Sequence, residues 1–322
     1  MLRYTQTALM FGEALGSMNR GFGLLLSLLA PLLLAAPALA ATSDGTASTA
    51  PHATRHRHHR TPHSPANEPN LRSSSALVLD AKDSTVLYSR RADIAMPIAS
   101  ITKLMTALVV ADAEQPVDEV LEISREDCAV GKGTFSRLTV GTQLTRGDLI
   151  HLALMSSENR AAHALGRNYP GGVTAFVAAM NAKAQALGMT SAHFVDPTGL
   201  DSDNVASSQD LSKLVMAASE NPTIREYSTD RGYAVRVGRR MVEFRNTDAL
   251  VSNPTWNIIV QKTGYISEAG RCLVMQAVIE GRSVVIVLLN SFGKNTRVAD
   301  ARRIRKWMEA TLSLRAPRVA LT

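Results

Sequence analysis

Three features of the sequence predict an α+β fold, with an antiparallel sheet drawn from both ends of one domain. Apolar strand-like runs open the domain at ALVLD (76–80) and TVLYS (85–89). Helical periodicity fills its middle. Three further apolar runs, NIIV (257–260), CLVMQAVI (272–279) and SVVIVLLN (283–290), gather near its end, ahead of a last helical stretch.

The first two runs alternate apolar and polar residues around the polar turn Ala81-Lys82-Asp83-Ser84, which is a β-hairpin pattern. Ile101, Leu104, Met105 and Leu108 then recur at i, i+3, i+4 and i+7. That spacing predicts a helix packed on a core, starting behind Pro97 with Ser100 in its first turn. A second helix is predicted from about Arg146, where Thr145 and Asp148 resemble a capping pair, through Leu149, Leu152 and Met155. A third covers about 172–187, and a fourth about 208–219 with Ser208 as its cap. Glu280-Gly281-Arg282 joins the last two strands as a tight turn. The closing helix, about 297–312, places Ile304, Met308 and Thr311 on one face.

The chain has 322 residues, 45% hydrophobic and 20% charged, with two cysteines. That composition excludes wholesale disorder, a collagen-like repeat and a disulfide-rich miniature scaffold. Two segments precede the domain. Residues 1–40 carry Arg20, the uncharged run GFGLLLSLLAPLLLAAPALA and small residues at Ala38 and Ala40, which predicts a secretory signal peptide cleaved before Ala41. An uncleaved anchor helix is disfavoured because Pro31 and Pro37 interrupt the run. Met18-Asn19-Arg20 makes a more compact basic region, so Met18 is an alternative start.

Residues 41–75 hold Leu71 as their only large apolar side chain, amid Pro51, Pro62, Pro65 and Pro69, and are expected to be a disordered linker. Within it, His52, His56, His58, His59 and His63 lie among Arg55, Arg57 and Arg60. The cationic neighbours and the absence of an interleaved carboxylate favour a solvated basic leader over a metal tract. Residues 76–322 form the one remaining domain. The net charge of +7 falls to +4 there, with 29 basic and 25 acidic residues, so nucleic-acid binding is not expected. No later apolar run reaches spanning length, which predicts a soluble extracytoplasmic protein without a transmembrane anchor.

Three short motifs carry chemistry. In Ser100-Ile101-Thr102-Lys103 the hydroxyl and the amine stand one helical turn apart on the same side. Serine needs a neighbouring base to become a nucleophile, and lysine serves only if burial or nearby positive charge lowers its pKa. Taken alone, the pair also fits a cap serine with a snorkelling lysine. Ser291-Phe292-Gly293-Lys294 has the same spacing but follows a strand. Ser157-Glu158-Asn159 directly follows an apolar helix, unlike the similar triplets Ser202-Asp203-Asn204 and Ser219-Glu220-Asn221. A serine there could pass a proton to a leaving amine, and an asparagine could hold a substrate amide. Lys262-Thr263-Gly264 follows the strand NIIVQ, where Gly264 leaves room for an extended substrate and Lys262 with Thr263 suits a carboxylate.

Ser-x-x-Lys, Ser-x-Asn and Lys-Thr-Gly occurring in that order, behind an export signal, are the signature set of penicillin-recognising serine enzymes. The chain resembles the low-molecular-mass penicillin-binding proteins of the D-alanyl-D-alanine endopeptidase/carboxypeptidase family over about residues 73–315. Further segments carry the likeness: ALVLDAKDSTVLYSRRAD, MPIASITKLMTALVV, FVDPTGLDSDNVAS, VQKTGYISEAGRCLVM and LLNSFGKNTRVADARRIRKW. SSENRAAHALGRNYPGG and NSFGK most resemble the penicillin-binding protein 7 type, the endopeptidase branch.

The resemblance implies a β-lactamase/transpeptidase-like fold and an acyl-enzyme mechanism. Ser100 would be the nucleophile, Lys103 its base and Ser157 the proton carrier. Asn159, Lys262, Thr263 and Gly264 would bind substrate, and the backbone N–H groups of Ser100 and Tyr265 would receive the oxyanion. It implies peptidoglycan stem peptides as substrates, β-lactams as covalent inhibitors, a periplasmic location, and neither metal nor cofactor. A D,D-carboxypeptidase trimming terminal D-Ala is the neighbouring alternative, and a catalytically silent wall-binding module the distant one. Arg160 stands where many carboxypeptidases carry an acidic residue, which favours the endopeptidase branch. No Glu-x-x-Leu-Asn segment is present, so efficient β-lactam hydrolysis is not expected. Neither the appended β-rich domain nor the C-terminal membrane helix of many carboxypeptidases is expected. Cys128 and Cys272 read as incidental thiols rather than a disulfide, and His151, His163 and His193 as structural.

Overall fold

A computed structural model describes residues 68–129 and 135–315. The signal segment and residues 41–67 of the linker lie outside the described residues. In chain order, β1 (Ser73–Asp80) and β2 (Val86–Arg90) form the first hairpin, and β3 (Met96–Pro97) leads into a single 3-10 turn over Ala99–Ile101. Helix α1 (Thr102–Asp112), β4 (Val120–Glu122), α2 (Arg125–Ala129) and β5 (Gln143–Thr145) follow. The helical middle comprises α3 (Arg146–Met155), α4 (Asn159–Arg167) and α5 (Gly172–Ala186). After β6 (Val205–Ala206) come α6 (Ser208–Glu220) and α7 (Pro222–Thr229). A second hairpin, β7 (Gly232–Val237) and β8 (Arg240–Arg245), precedes β9 (Asn257–Ile266), β10 (Gly270–Ile279), β11 (Arg282–Ser291) and α8 (Thr296–Arg315).

The main sheet has the order β2-β1-β11-β10-β9 and is antiparallel throughout, so both chain ends do supply it. Its central strands are buried on both faces. Leu77, Leu79, Val274, Val285, Val287 and Leu289 face the helical middle, whereas Ala76, Val78, Leu273, Met275, Ile286 and Leu288 face Ala301, Ile304 and Met308 of α8. The period of two therefore separates two apolar clusters rather than core from solvent, and β1 reads as a continuous apolar run.

Strand β1 starts at Ser73, ahead of the apolar run that opens at Ala76. Buried serines hide this start from a hydrophobicity pattern. Ser73 Oγ donates to Asp300 Oδ2 at 2.7 Å and meets Ser291 Oγ at 2.6 Å, and Ser75 Oγ meets Ser208 Oγ at 2.7 Å. Ser208 is thus a helix residue turned toward the sheet, and the cap of α6 is Ser207, in a reciprocal capping box with Asp210. Thr145 and Asp148 form the expected capping box at α3. The hairpin β7–β8 and the short helices α2, α4 and α7 were not predicted.

Candidate active site

Ser100 lies on the 3-10 turn and Lys103 in the first turn of α1, so one unbroken helical segment fixes their separation. Thr102 through Val110 are all buried, which makes α1 a central helix rather than an amphipathic surface one. Fully buried, Lys103 places Nζ 2.9 Å from Ser100 Oγ, 2.7 Å from Asn159 Oδ1 and 2.6 Å from the Thr198 carbonyl oxygen. Burial lowers its pKa to about 7, against the opposing pull of Asp196 and Glu158.

The segment is clamped from two sides by backbone. Ala99 has φ of 49°, a left-handed conformation that costs an alanine roughly 1–2 kcal/mol. A Cβ on Gly199 would sit 2.0 Å from the Ala99 oxygen, so only glycine fits behind the turn. On the other side, a Cβ on Gly264 would fall 2.9 Å from the Ile98 oxygen and 3.1 Å from the Ser100 nitrogen. Gly264 therefore does not serve simply to admit substrate: its missing side chain lets the Ser100 turn rest on β9.

Ser157 has φ of 61° and forms the turn between Ser156, the C-cap of α3, and Glu158, the N-cap of α4. This one-residue reversal turns Asn159 toward Lys103. Lys262 is fully buried on β9, where burial first and the neighbouring Lys103 and Arg297 second hold its pKa well below the usual lysine range. Its Nζ donates to the Thr263 carbonyl at 3.0 Å, and Thr263 Oγ1 meets Thr247 Oγ1 at 2.6 Å. Arg297 of α8 donates to the Gly264 carbonyl at 3.2 Å and leaves its buried Nε without a partner. Lys103, Lys262 and Arg297 thus gather three basic groups against β9, which among the described residues has β10 on one edge and no strand on the other.

These observations bring the three motifs to one place, and comparison with known proteins agrees. A profile described as D-alanyl-D-alanine carboxypeptidase matches residues 62–293. The chain belongs to the D-alanyl-D-alanine carboxypeptidase family. It is accordingly a serine peptidase. A Pseudomonas aeruginosa D-alanyl-D-alanine endopeptidase is 51% identical over 241 residues, covering 74% of this chain and 78% of that one. An Escherichia coli D-alanyl-D-alanine endopeptidase is 44% identical over 259 residues, covering 80% and 84%. Among solved structures, the Streptomyces K15 DD-transpeptidase superposes with a TM-score of 0.71 at 27% identity, covering 76% of this chain and 99% of that one. The family resemblance carried by the motifs and the fold class it implied are both borne out.

Within this family frame the look-alike motifs have other work. Asn204 is buried in the 195–204 loop, where its Oδ1 accepts from the Val195 N–H at 3.2 Å and its Nδ2 donates to Asp196 at 2.6 Å. Asn221 caps α7 through the Ile224 N–H. Ser291 ends β11 and bonds Ser73. The histidines hold structure: His163 meets Asp127 Oδ1 at 2.7 Å, and His151 stacks on Tyr227 and Tyr233. Both cysteines are free, and burial lifts the Cys272 thiol to about 11.

Sequence reasoning missed Thr198, Asp196, Glu158 and Arg297. Asp196 organises the loop behind the nucleophile by accepting from the Gly199 N–H at 2.8 Å and the Asp201 N–H at 3.0 Å. The run Asp196-Pro197-Thr198-Gly199 is a turn pattern inside the family-like segment FVDPTGLDSDNVAS, and neither signal assigned its residues to the site. Glu158, the middle residue of its motif, is buried, accepts from Ser136 Oγ and has its pKa raised by burial.

Proposed function

We propose that the protein is a periplasmic D,D-endopeptidase that hydrolyses D-alanyl cross-links between peptidoglycan stem peptides through a Ser100 acyl-enzyme. The observation that carries this reading is the buried Lys103 amine, held between Ser100 Oγ and two carbonyl oxygens. A neutral amine has two N–H donors and one lone pair. Asn159 Oδ1 and the Thr198 carbonyl take the two donors, which leaves the lone pair aimed at the Ser100 hydroxyl. As Oγ attacks the D-alanyl carbonyl, Lys103 accepts its proton.

The N–H groups of Ser100 and Tyr265 receive the tetrahedral oxyanion, each donor worth roughly 3 kcal/mol in such sites. Ser157 conveys a proton to the departing amine. Lys262, Thr263 and Arg297 receive the carboxylate of the leaving residue, and that charge returns a proton to Lys262 while Lys103 stays neutral. Water then attacks the acyl-enzyme, with Lys103 again accepting a proton, and Ser100 is released. Penicillins follow the first half of this path because they present an amide and a carboxylate in similar positions. The periplasmic location rests on the export signal, and among the described residues no helix is long and apolar enough to cross a membrane.

The endopeptidase branch is favoured by the two close relatives that bear that name. Purified cross-linked muropeptide dimers are expected to become monomers on digestion. Release of D-Ala with the dimers intact would establish the carboxypeptidase instead. Fluorescent penicillin is expected to label the wild type covalently and Ser100→Ala not at all; equal labelling would remove Ser100 as nucleophile.

The pH dependence follows from Lys103. A base must be unprotonated, and Lys103 titrates at about 7. Penicillin acylation is therefore expected to level off above pH 7 and to fall about tenfold per unit below it. A rate that rises as pH drops from 7 to 5 would exclude Lys103 as the base.

A further inference from the structure

A cleft at the end of the oxyanion strand presents side chains that no step above uses. It opens at Tyr265, one residue past Gly264, and runs around the β9–β10 turn to the end of β11, with Glu268, Arg271, Asn290, Phe292 and Lys294 on its walls. Tyr265 is 54% exposed and Phe292 75% exposed, an unusual pair of aromatics to leave in water. Arg271 pairs with Tyr265 across β9 and β10 and holds its guanidinium 4.4 Å from the centroid of that ring. No carboxylate lies within ion-pair distance of Arg271 or Lys294 among the described residues, although Arg297 stands close enough to Arg271 for their charges to repel. Within the lining of the cleft Glu268 stands against both Arg271 and Lys294, while Asp248 opposes Arg297. Such a cluster is electrostatically incomplete until an anion enters it.

Position says which anion. A peptide added to the free edge of β9 meets Ser100 beside Gly264, and chain extending toward the turn passes over Tyr265 into the cleft. We propose that Arg271 and Lys294, with Tyr265 and Phe292 as an apolar floor, form a specificity subsite for a stem-peptide carboxylate remote from the scissile bond. The inference rests on the D,D-peptidase reading and adds to it the recognition of an acidic peptide beyond the D-alanyl unit. A guanidinium pre-oriented on an aromatic face loses little freedom on pairing with a carboxylate.

The test uses two muropeptide dimers that differ only in one remote stem carboxylate, free in the first and amidated in the second. The wild type is expected to prefer the free form by about tenfold in kcat/KM, the gain typical of a charge-assisted contact at a half-exposed site. The difference should lie in KM and shrink as salt is raised. In Arg271→Gln and Lys294→Gln the preference should fall toward unity, while Arg271→Lys should keep part of it. Lys294 is exposed and lies beyond β11, whereas Arg271 stacks on Tyr265, so the Lys294 variant separates charge from any disturbance of the oxyanion strand. A preference that survives in both glutamine variants, or rates that fall equally for both dimers, would overturn the subsite. A wild type that cleaves neither dimer would instead overturn the endopeptidase reading.

Discussion

Lys103→Arg is expected to lower the second-order rate of penicillin acylation on the order of a thousandfold, the scale of a lost general base. Arginine keeps the positive charge and offers donors to Asn159 Oδ1 and the Thr198 carbonyl. It does not give up a proton at usable pH and has no lone pair to take one. If Lys103 only positioned Ser100 by hydrogen bonding, arginine would preserve much of the rate. Lys103→Met tests the complementary case, replacing a desolvated amine by an uncharged chain of similar length. It should acylate as slowly as the arginine variant, and the acidic limb near pH 7 should vanish from whatever rate remains. Because the native state buries an amine at a desolvation cost, the methionine variant should unfold at a temperature close to that of the wild type. Mass spectrometry of the acyl-enzyme over time gives both rates. More than a tenth of the wild-type rate in Lys103→Arg would remove the base from Lys103 and leave it a positioning role.

Local patterns announced much of this site. Ser100 and Lys103 alone also fitted a cap serine with a snorkelling lysine, and it was the order of all three motifs that singled them out with Lys262 to Gly264. The physics that makes Lys103 a base was not local. Its depressed pKa comes from burial inside a bundle of helices, and its two carbonyl partners come from Asn159 and Thr198, 56 and 95 residues away. The apolar spacing predicted a helix packed on a core by one stripe, whereas Thr102 through Val110 are buried on every side of α1. The same limit explains the strand start at Ser73: its buried hydroxyls are satisfied by Ser291 and Asp300, residues from the other end of the chain. Arg297 was invisible for a related reason, since only the packing of α8 on the sheet brings it to Gly264.

Gly264 shows how a correct residue can carry an incomplete reason. Its strand-end position suggested space for substrate. The structure fills that space with the backbone of Ile98 and Ser100 and the Cβ of Ala99, so the glycine supports the nucleophile directly. Sequence gave no hint that Gly199 does the same from the opposite side.

Gly199→Ala should therefore cost activity far more than stability alone would explain. The added Cβ would stand 2.0 Å from the Ala99 oxygen and 2.4 Å from the Ala99 carbonyl carbon, both backbone atoms with no rotamer to escape by. Relief requires the Ser100 turn or the 196–204 loop to move by something like an ångström. Displacement on that scale costs about a hundredfold in rate when reacting groups are held for in-line attack. Lys103 would also lose its alignment with the Thr198 carbonyl, which precedes Gly199 directly. A left-handed conformation carries its own penalty for alanine, so Gly141→Ala is the needed control. Gly141 has φ of 81° against 76° for Gly199, and a Cβ there meets nothing within 4 Å. Both variants should lose roughly 1–2 kcal/mol of stability from the backbone alone. Gly199→Ala should lose more, and it alone should acylate slowly. Equal acylation rates in the two variants would mean that the nucleophile turn tolerates displacement, and the tight contact behind Ala99 would then be packing without catalytic consequence.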